Sequence, residues 1–297
     1  MEKRKFIIGD KWLYIKIYSG TSMLETLLKS QIFEMVTILS KDSVIDNFFF
    51  IRYWDDFGNH LRIRFHLVST SYLNIIIQLL NKLLREFIDN RVIHKLTIDT
   101  YSRELERYGE ENIEAIEYIF GMHSWHVLEY LAIQEKSPEK RPLFAIANLN
   151  SILHVLGISI YERHRICEIS YQAFAKEFSI NSLIKNSLKS KYRAIKPTLS
   201  DDYFDIISNL HLKPPPFYGL TTYSNAIKKL VNQTTNLNKA NSGKWLRLEE
   251  ICRSLIHMQC NRLFVSKQRQ NEFVLCYVLS NHYKSKHVQL NKITTNE

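Results

Sequence analysis

Glycine and proline are scarce, at eight and six of 297 residues, which excludes collagen-like and low-complexity architectures. The four cysteines, Cys167, Cys252, Cys260 and Cys276, form no CxxC pair and no His/Cys cluster at zinc-ligand spacing. Neither a metal nor a redox motif is therefore legible, and reduced core thiols are the expectation. GxGxxG and GxxxxGK[ST] are both missing, and with them the signatures of dinucleotide and Walker-type nucleotide binding. No hydrophobic run approaches membrane-spanning length. The basic start MEKRKFIIGDKW contains too short an apolar stretch for a signal sequence, so a cytoplasmic protein without a membrane partner is expected. There is no internal repeat.

What the chain does contain is ordinary for a folded protein: 45% hydrophobic, 24% charged and 12% aromatic residues. A chain of this length can bury a sizeable core without disulfide or metal staples, so no structural cofactor is expected. Forty Lys and Arg against thirty Asp and Glu give a formal charge of +10, which favours an anionic partner. Part of the excess sits near the ends, at Lys3, Arg4, Lys5, Lys284, Lys286 and Lys292, where solvated tails account for it.

The first hundred residues switch between strand and helix periods. WLYIKIY (12–18) alternates, with Leu13, Ile15 and Ile17 on one side. Ser19-Gly20-Thr21-Ser22 breaks the strand and offers helix caps, after which Leu24, Leu27, Leu28, Ile32, Met35, Val36 and Leu39 recur at helical spacing. FFFIRYW (48–54) and HLRIRFHL (60–67) flank a five-residue turn from Asp55 to Asn59 and predict a hairpin. Leu61, Ile63, Phe65 and Leu67 face one way in its second arm, and Arg62 and Arg64 the other. Residues 72–90 carry a second apolar helical stripe, and a last strand is expected around 94–103.

Strand, helix, strand, strand, helix, strand is the βαββαβ order of a ferredoxin-like antiparallel sheet. The expected fold class is thus α+β: a ferredoxin-like part over 1–108, then a mostly helical part over 109–297, packed as one domain with it. Helices are expected near 110–135, 142–167, 170–193, 223–236, 245–266 and 271–283, with a break at Pro214-Pro215-Pro216 and a mobile polar loop at 232–244. The face of the sheet away from its helices is expected to carry Lys16, Arg52 and one or both of Arg62 and Arg64, with Tyr101 and Arg103 at the end of the last strand.

Such a row of cations either meets solvent or floors an anion site, since a guanidinium offers carboxylates a fixed, permanently charged fork. Salt bridging to Glu104 and Glu106 is the competing account of Arg103 and Arg107. In SLIHMQCNRL (254–263), Arg253, His257 and Asn261 stack at i, i+4 spacing beside the apolar Ile251, Leu255 and Met258. His257 beside Asn261 is a candidate general acid or base with an oriented ring, against the plainer reading of a half-buried, satisfied histidine.

Four ordered segments, WLYIKIY (12–18), FFFIRY with HLRIRF (48–65), TYSRELERYG (100–109) and LIHMQCNRL (255–263), resemble the elimination domain of class I lanthipeptide dehydratases and its split relatives in thiopeptide pathways. The resemblance implies release of glutamate from glutamylated Ser or Thr of a ribosomally made precursor peptide, leaving a dehydroamino acid, with no cofactor. It implies two partners: the leader-bearing peptide and a separate glutamylation subunit using glutamyl-tRNA. A homodimer is compatible with it.

The catalytic set it implies is Arg62 or Arg64 from the HLRLR-type strand, Arg103 from TYxRE and His257 from HMxxNR. Arg52, Tyr101, Asn261 and Arg262 are expected to contact the substrate. Arginines would stabilise the enolate-like transition state and the leaving carboxylate, and His257 would move the proton, with Tyr101 as helper. ERYGEE (106–111) and FGMHS (120–124) depart from the family's ERYGG and F-x-x-D-S, with His123 in place of the acidic residue. RYWDDFGNH (52–60) resembles the thiopeptide pyridine synthases, which share the fold and join two dehydroalanines, and that is the rival reading. A non-catalytic protein binding leader peptide or tRNA is a second alternative.

Overall fold

Strand β2 (Trp12–Ser19) sits at the middle of the sheet because both of its faces are apolar enough to be buried. In the computed structural model, which describes residues 3–135, 137–200, 204, 215–217, 225, 228 and 242–294, it pairs antiparallel with β4 (Gly58–Leu67) and β5 (Ile93–Asp99). β3 (Ile45–Asp55) pairs antiparallel with β4, giving the order β3-β4-β2-β5. This is the ferredoxin-like order. The hairpin is tighter than expected: its ladder continues to Asp55 opposite Gly58. Gly58 adopts φ +102°, and Asp55 accepts from the Phe57 N–H at 3.0 Å.

Leu61, Ile63, Phe65 and Leu67 are fully buried on one face of β4. That face takes α1 (Thr21–Leu27), a π-helical turn (Leu28–Ile32), α2 (Phe33–Lys41) and α3 (Leu73–Asp89), so the second element is one apolar stripe broken into three pieces. The last strand also divides. After Asp99 the chain steps out of the main sheet, and β6 (Tyr101–Ser102) pairs instead with β1 (Lys5–Phe6).

Beyond a short turn, α4 (Leu105–Tyr108), comes α5 (Ile113–Glu129), which packs on the outer strand β3. Asn47 Nδ2 donates to the Glu117 carbonyl at 3.1 Å, and Ser124 Oγ accepts from the Phe50 N–H at 3.1 Å. An edge strand is thereby covered by polar contacts from a helix. The serine of the FGMHS segment keeps a structural role, and His123 is buried in the same helix.

Contacts divide the chain into two compact units, Met1–Lys136 with Pro214–Leu230, and Ser137–Lys213 with Val231–Glu297. α5 therefore groups with the sheet, not with the later helices. The second unit contains α6 (Arg141–Val155), α7 (Ile160–Glu177), α8 (Ser182–Ile195), α9 (Ser242–Leu263) and α10 (Gln268–Thr294). The expected helix at 142–167 is two: Gly157 turns the chain at φ +69°, and Ser159 with Glu162 forms a capping box that starts α7. A second break falls inside the expected 170–193 helix, at Ser179 (φ +48°), with Asn181 capping α8. Most of the expected helix at 223–236 and of the polar loop at 232–244 lies outside the described residues; Asn225 and Lys228, which are described, are helical.

All four cysteines are free and buried, and burial pushes the Cys252 thiol up to about 12. They are core thiols. His282 on α10 is also buried, and burial, then the nearby Lys196 charge, pulls it down to about 4. Between that value and the ordinary 6.5 the unfolded chain binds the proton and the folded one does not. Stability should therefore fall as pH drops through this window, by roughly 3 kcal/mol from this group. Urea unfolding at pH 7 and pH 4 should show that loss in the wild type and a smaller one in His282→Asn; equal losses would remove His282 as the cause.

Candidate functional site

Cross-strand register fixes which side chains share the face of the sheet opposite α1, α2 and α3, where α5 covers the β3 edge through Phe120 on Phe49. Lys16 lies opposite Arg62, Tyr14 opposite Arg64, and Trp12 opposite His66, while Phe49 faces Arg64 from β3. Arg64 is 8% exposed, and its guanidinium carbon lies 4.4 Å from the Tyr14 ring centre, 4.9 Å from Tyr101 and 5.0 Å from Phe49. Its Nε and Nη1 have no hydrogen-bond partner among the described residues. Burial pulls the Arg64 pKa below the usual arginine value. Arg64 is thus a desolvated cation held by ring faces.

Arg62 is half-buried and sits flat on Tyr53, 3.4 Å from the ring centre. Its Nε donates to His60 Nε2 at 3.2 Å, which assigns the His60 proton to Nδ1, where it meets the Gly58 carbonyl at 3.1 Å. His60 is fully buried, and burial holds it below its ordinary value, so a neutral ring orients Arg62. Lys16 pairs with Asp99.

Arg103 has a different environment. Its Nε and Nη2 donate to Glu117 Oε1 and Oε2 at 2.8 and 2.7 Å, a buried bidentate pair, and Tyr101 Oη donates to the same Oε1 at 2.7 Å. The expected competitors are engaged elsewhere: Glu106 pairs with Arg4 and Glu104 with Arg107. Burial pushes the Glu117 carboxyl up against the opposing pull of Arg103 and Tyr101. Burial, then the Glu117 charge, raises the Tyr101 phenol well above its ordinary value. Tyr101 is therefore a fixed neutral donor and a ring beneath Arg64, not a group ready to lose a proton. A polar pocket of about 90 Å³ adjoins this cluster, lined by Trp12, Asn47, His66 and Tyr118 with Arg103, Glu114 and Glu117. Trp12 Nε1 and Asn47 Oδ1 are buried there without a hydrogen-bond partner among the described residues.

Arg52 requires a correction. It lies opposite Leu61, so it occupies the helix-bearing face, where it is buried and ion-paired with Glu25 of α1. Its role there is to fasten a helix to the sheet, and it does not share a face with Arg62 and Arg64.

In the second unit, α9 carries His257, Asn261 and Arg262. His257 is about one-third exposed, and its Nδ1 lies 2.8 Å from Oε2 of Glu272, a buried carboxylate near the start of α10. The orienting partner is thus a carboxylate from the neighbouring helix rather than Asn261. Arg262 is fully buried. Arg141 Nη1 donates to the carbonyl of the next residue, Leu263, at the end of α9.

Glu117 and Glu272 are the residues that i, i+4 reasoning missed. Glu117 did leave a signal, as an acid set among the apolar Ile113, Ile116, Ile119 and Phe120. Among the described residues no three His, Cys, Asp or Glu side chains are grouped to hold a metal ion, and no helix is long and apolar enough to cross a membrane.

A ferredoxin-like antiparallel sheet with a guanidinium-bearing face, in a chain that continues into a helical unit, places the protein in the α+β class. A family model described as the C-terminal part of the lantibiotic biosynthesis dehydratases matches residues 12–283. The chain belongs to that family. It is 25% identical over 291 residues to the subtilin biosynthesis protein SpaB of Bacillus subtilis, covering 95% of this chain and 26% of SpaB. The chain therefore spans about a quarter of that relative's length. Its fold resembles the tRNA-dependent lantibiotic dehydratase MibB from Microbispora sp. 107891, with TM-score 0.67 and 17% identity over 92% of this chain and 28% of MibB. It also resembles TbtD, the pyridine synthase from thiomuracin biosynthesis, with TM-score 0.63 and 10% identity over 92% of this chain and 97% of TbtD.

Proposed function

We propose that the chain expels glutamate from glutamylated Ser or Thr of a ribosomally made precursor peptide, leaving dehydroalanine or dehydrobutyrine. The observation that carries this reading is Arg64: a buried, aromatic-caged guanidinium with no carboxylate partner among the described residues. The counter-charge it lacks is one that a leaving glutamate brings. A desolvated cation stabilises a developing anion far more than a hydrated one does, because no water must reorganise. Arg62, oriented by His60 and Tyr53, supplies a second cation on the same face. Arg103 and Tyr101 share Glu117, so their contribution to substrate is to fix the shape of the adjoining polar pocket and the ring under Arg64.

His257 takes the Cα proton as the Cβ–O bond breaks, the Cα=Cβ double bond forms and glutamate leaves as its carboxylate. Glu272 holds Nδ1, which leaves Nε2 as the working nitrogen. The glutamyl ester is installed by a separate glutamyl-tRNA-using subunit acting on the leader-bearing peptide in the cytoplasm. Family membership supports dehydratase chemistry. Offering the purified chain two peptides separates it from ring formation. We expect free glutamate and a dehydrated product from a glutamyl-Ser peptide, and no change in a peptide that already holds two dehydroalanines. A six-membered nitrogen ring made from the second, with no glutamate from the first, would overturn the assignment.

A further inference from the structure

The formal charge of +10 is not spread over the molecule. Residues 3–135 hold sixteen Lys and Arg against eighteen Asp and Glu, whereas residues 137–200 and 242–294 together hold nineteen against seven. Pairing follows the same division. In the first unit Lys3, Arg4, Lys16, Lys29, Arg52, Arg85, Arg103 and Arg107 all sit in ion pairs. In the second, residues 178–200 contain five cations and no acid before the run ends at Asp201 and Asp202. None of the five makes an ion pair with a described residue.

Those cations lie on or just beyond α8, a helix anchored by the buried Leu188 and the half-buried Tyr192. Leu188 is its one fully buried side chain and packs with Phe174 and Phe273. Lys185, Lys189, Arg193 and Lys196 are all exposed and follow each other at steps of four, four and three residues, which puts them on one flank of the helix. At 1.5 Å per residue the row is about 16 Å long. The basic flank continues onto α10, where Arg193 acts on Tyr277 and Lys196 on His282. α10 has no acidic residue after Glu272 and adds Lys284 and Lys286.

We infer that this flank of α8 binds the phosphate backbone of nucleic acid. Like charges in a row, with no ion-pair partner among the described residues, cost self-repulsion that a polyanion relieves by releasing its counterions. The row carries no apolar side chain between its cations. Exposed Leu183 lies on a different flank, so the pattern lacks the combined basic and apolar face that holds a helix in a membrane surface. A bound peptide would need a strand edge or apolar anchor pockets, and an exposed helix flank offers neither. Lysines dominate, and lysine is a point charge that grips phosphate without reading bases, so binding is independent of sequence.

The test uses the full chain and fluorescence anisotropy with a labelled tRNA mixture and a DNA duplex, alongside poly-glutamate and phosphatidylglycerol vesicles. Four phosphate contacts imply that affinity falls roughly a hundredfold between 50 and 200 mM salt. The triple substitution Lys185→Glu, Lys189→Glu, Arg193→Glu should lower nucleic-acid affinity at least tenfold at 50 mM salt and flatten the salt dependence. Lys41→Glu with Lys82→Glu, on the first unit, should do neither. The triple variant changes only exposed side chains, and an unaltered thermal transition checks its fold. Stronger binding to tRNA than to the duplex identifies RNA as the source of the phosphates, and the reverse identifies DNA. No nucleic-acid binding at 50 mM salt, an unaffected triple variant, or preferential capture by vesicles or poly-glutamate would overturn the inference.

Discussion

Arg64→Met is expected to abolish glutamate release while leaving the protein at least as stable as the wild type. Removing a buried guanidinium deletes the charge that the leaving carboxylate meets, and loss of one such stabilising group costs on the order of a hundredfold to a thousandfold in turnover. The same change relieves a cost. Arg64 lies desolvated among Tyr14, Phe49 and Tyr101, with two nitrogens unpartnered among the described residues. An apolar side chain of similar length would fill that cage without the penalty of burying an uncompensated charge. Activity and stability should therefore move in opposite directions, as they do where a site is kept at the expense of the fold.

Arg64→Lys should be nearly as inactive, because a compact ammonium is strongly hydrated and neither stacks on ring faces nor presents a fork. Urea unfolding and glutamate release measured on the same preparations decide the matter. A destabilised Arg64→Met that still eliminates glutamate would make Arg64 a packing residue. Arg103→Met would behave differently, since it strands Glu117 in a buried position, and breaking such a pair costs roughly 3–5 kcal/mol. Loss of activity in that variant alone would not distinguish chemistry from collapse.

The arginine face was legible where the strand alternated and illegible where it did not. In HLRIRFHL, polar and apolar residues take turns, so Arg62 and Arg64 could be assigned to one face by parity, and β4 places them there. In FFFIRYW every residue but Arg52 favours a strand, and parity has no polar marks to read. The face of Arg52 is set by the hairpin register, and a two-residue connection at Asp56 and Phe57 places it opposite Leu61. Tyr101 and Arg103 were attached to the last strand because Lys95, Thr97 and Asp99 continue its alternation. The chain leaves the sheet after Asp99, and the two residues reach their positions through β6 and Glu117 instead. Helix ends were missed at Gly157 and Ser179, though the Ser159 and Glu162 box was readable as a start signal. Partners across elements were beyond reach, because spacing rules describe neighbours on one helix and not the packing of one helix on the next.

The pairing of His257 with Glu272 gives the second large effect. His257→Ala should stall the peptide as its glutamylated form, with turnover down a hundredfold to ten-thousandfold, the usual worth of a positioned proton-transfer group. Its side chain is about one-third exposed, so the fold should tolerate its loss, and imidazole added to the buffer should restore part of the rate. Glu272 acts through the ring rather than on the substrate. At 2.8 Å from Nδ1 it holds one tautomer and one orientation, so Glu272→Gln should lower kcat with little change in KM and should gain little from added imidazole. Glu272→Asp, which keeps the charge but shortens the reach, should fall between Gln and wild type. Mass spectrometry of the accumulated peptide is the deciding measurement. Wild-type glutamate release by His257→Ala would reduce the pair to an ordinary link between α9 and α10, and proton transfer would then have to come from the sheet unit. There the buried His60 is already committed to Arg62 and Gly58, and Tyr101 to Glu117. Those groups are engaged, whereas His66 lines the polar pocket with Nδ1 held by Asp46, so the proton-transfer step is assigned to His257 and would pass to His66 in its absence.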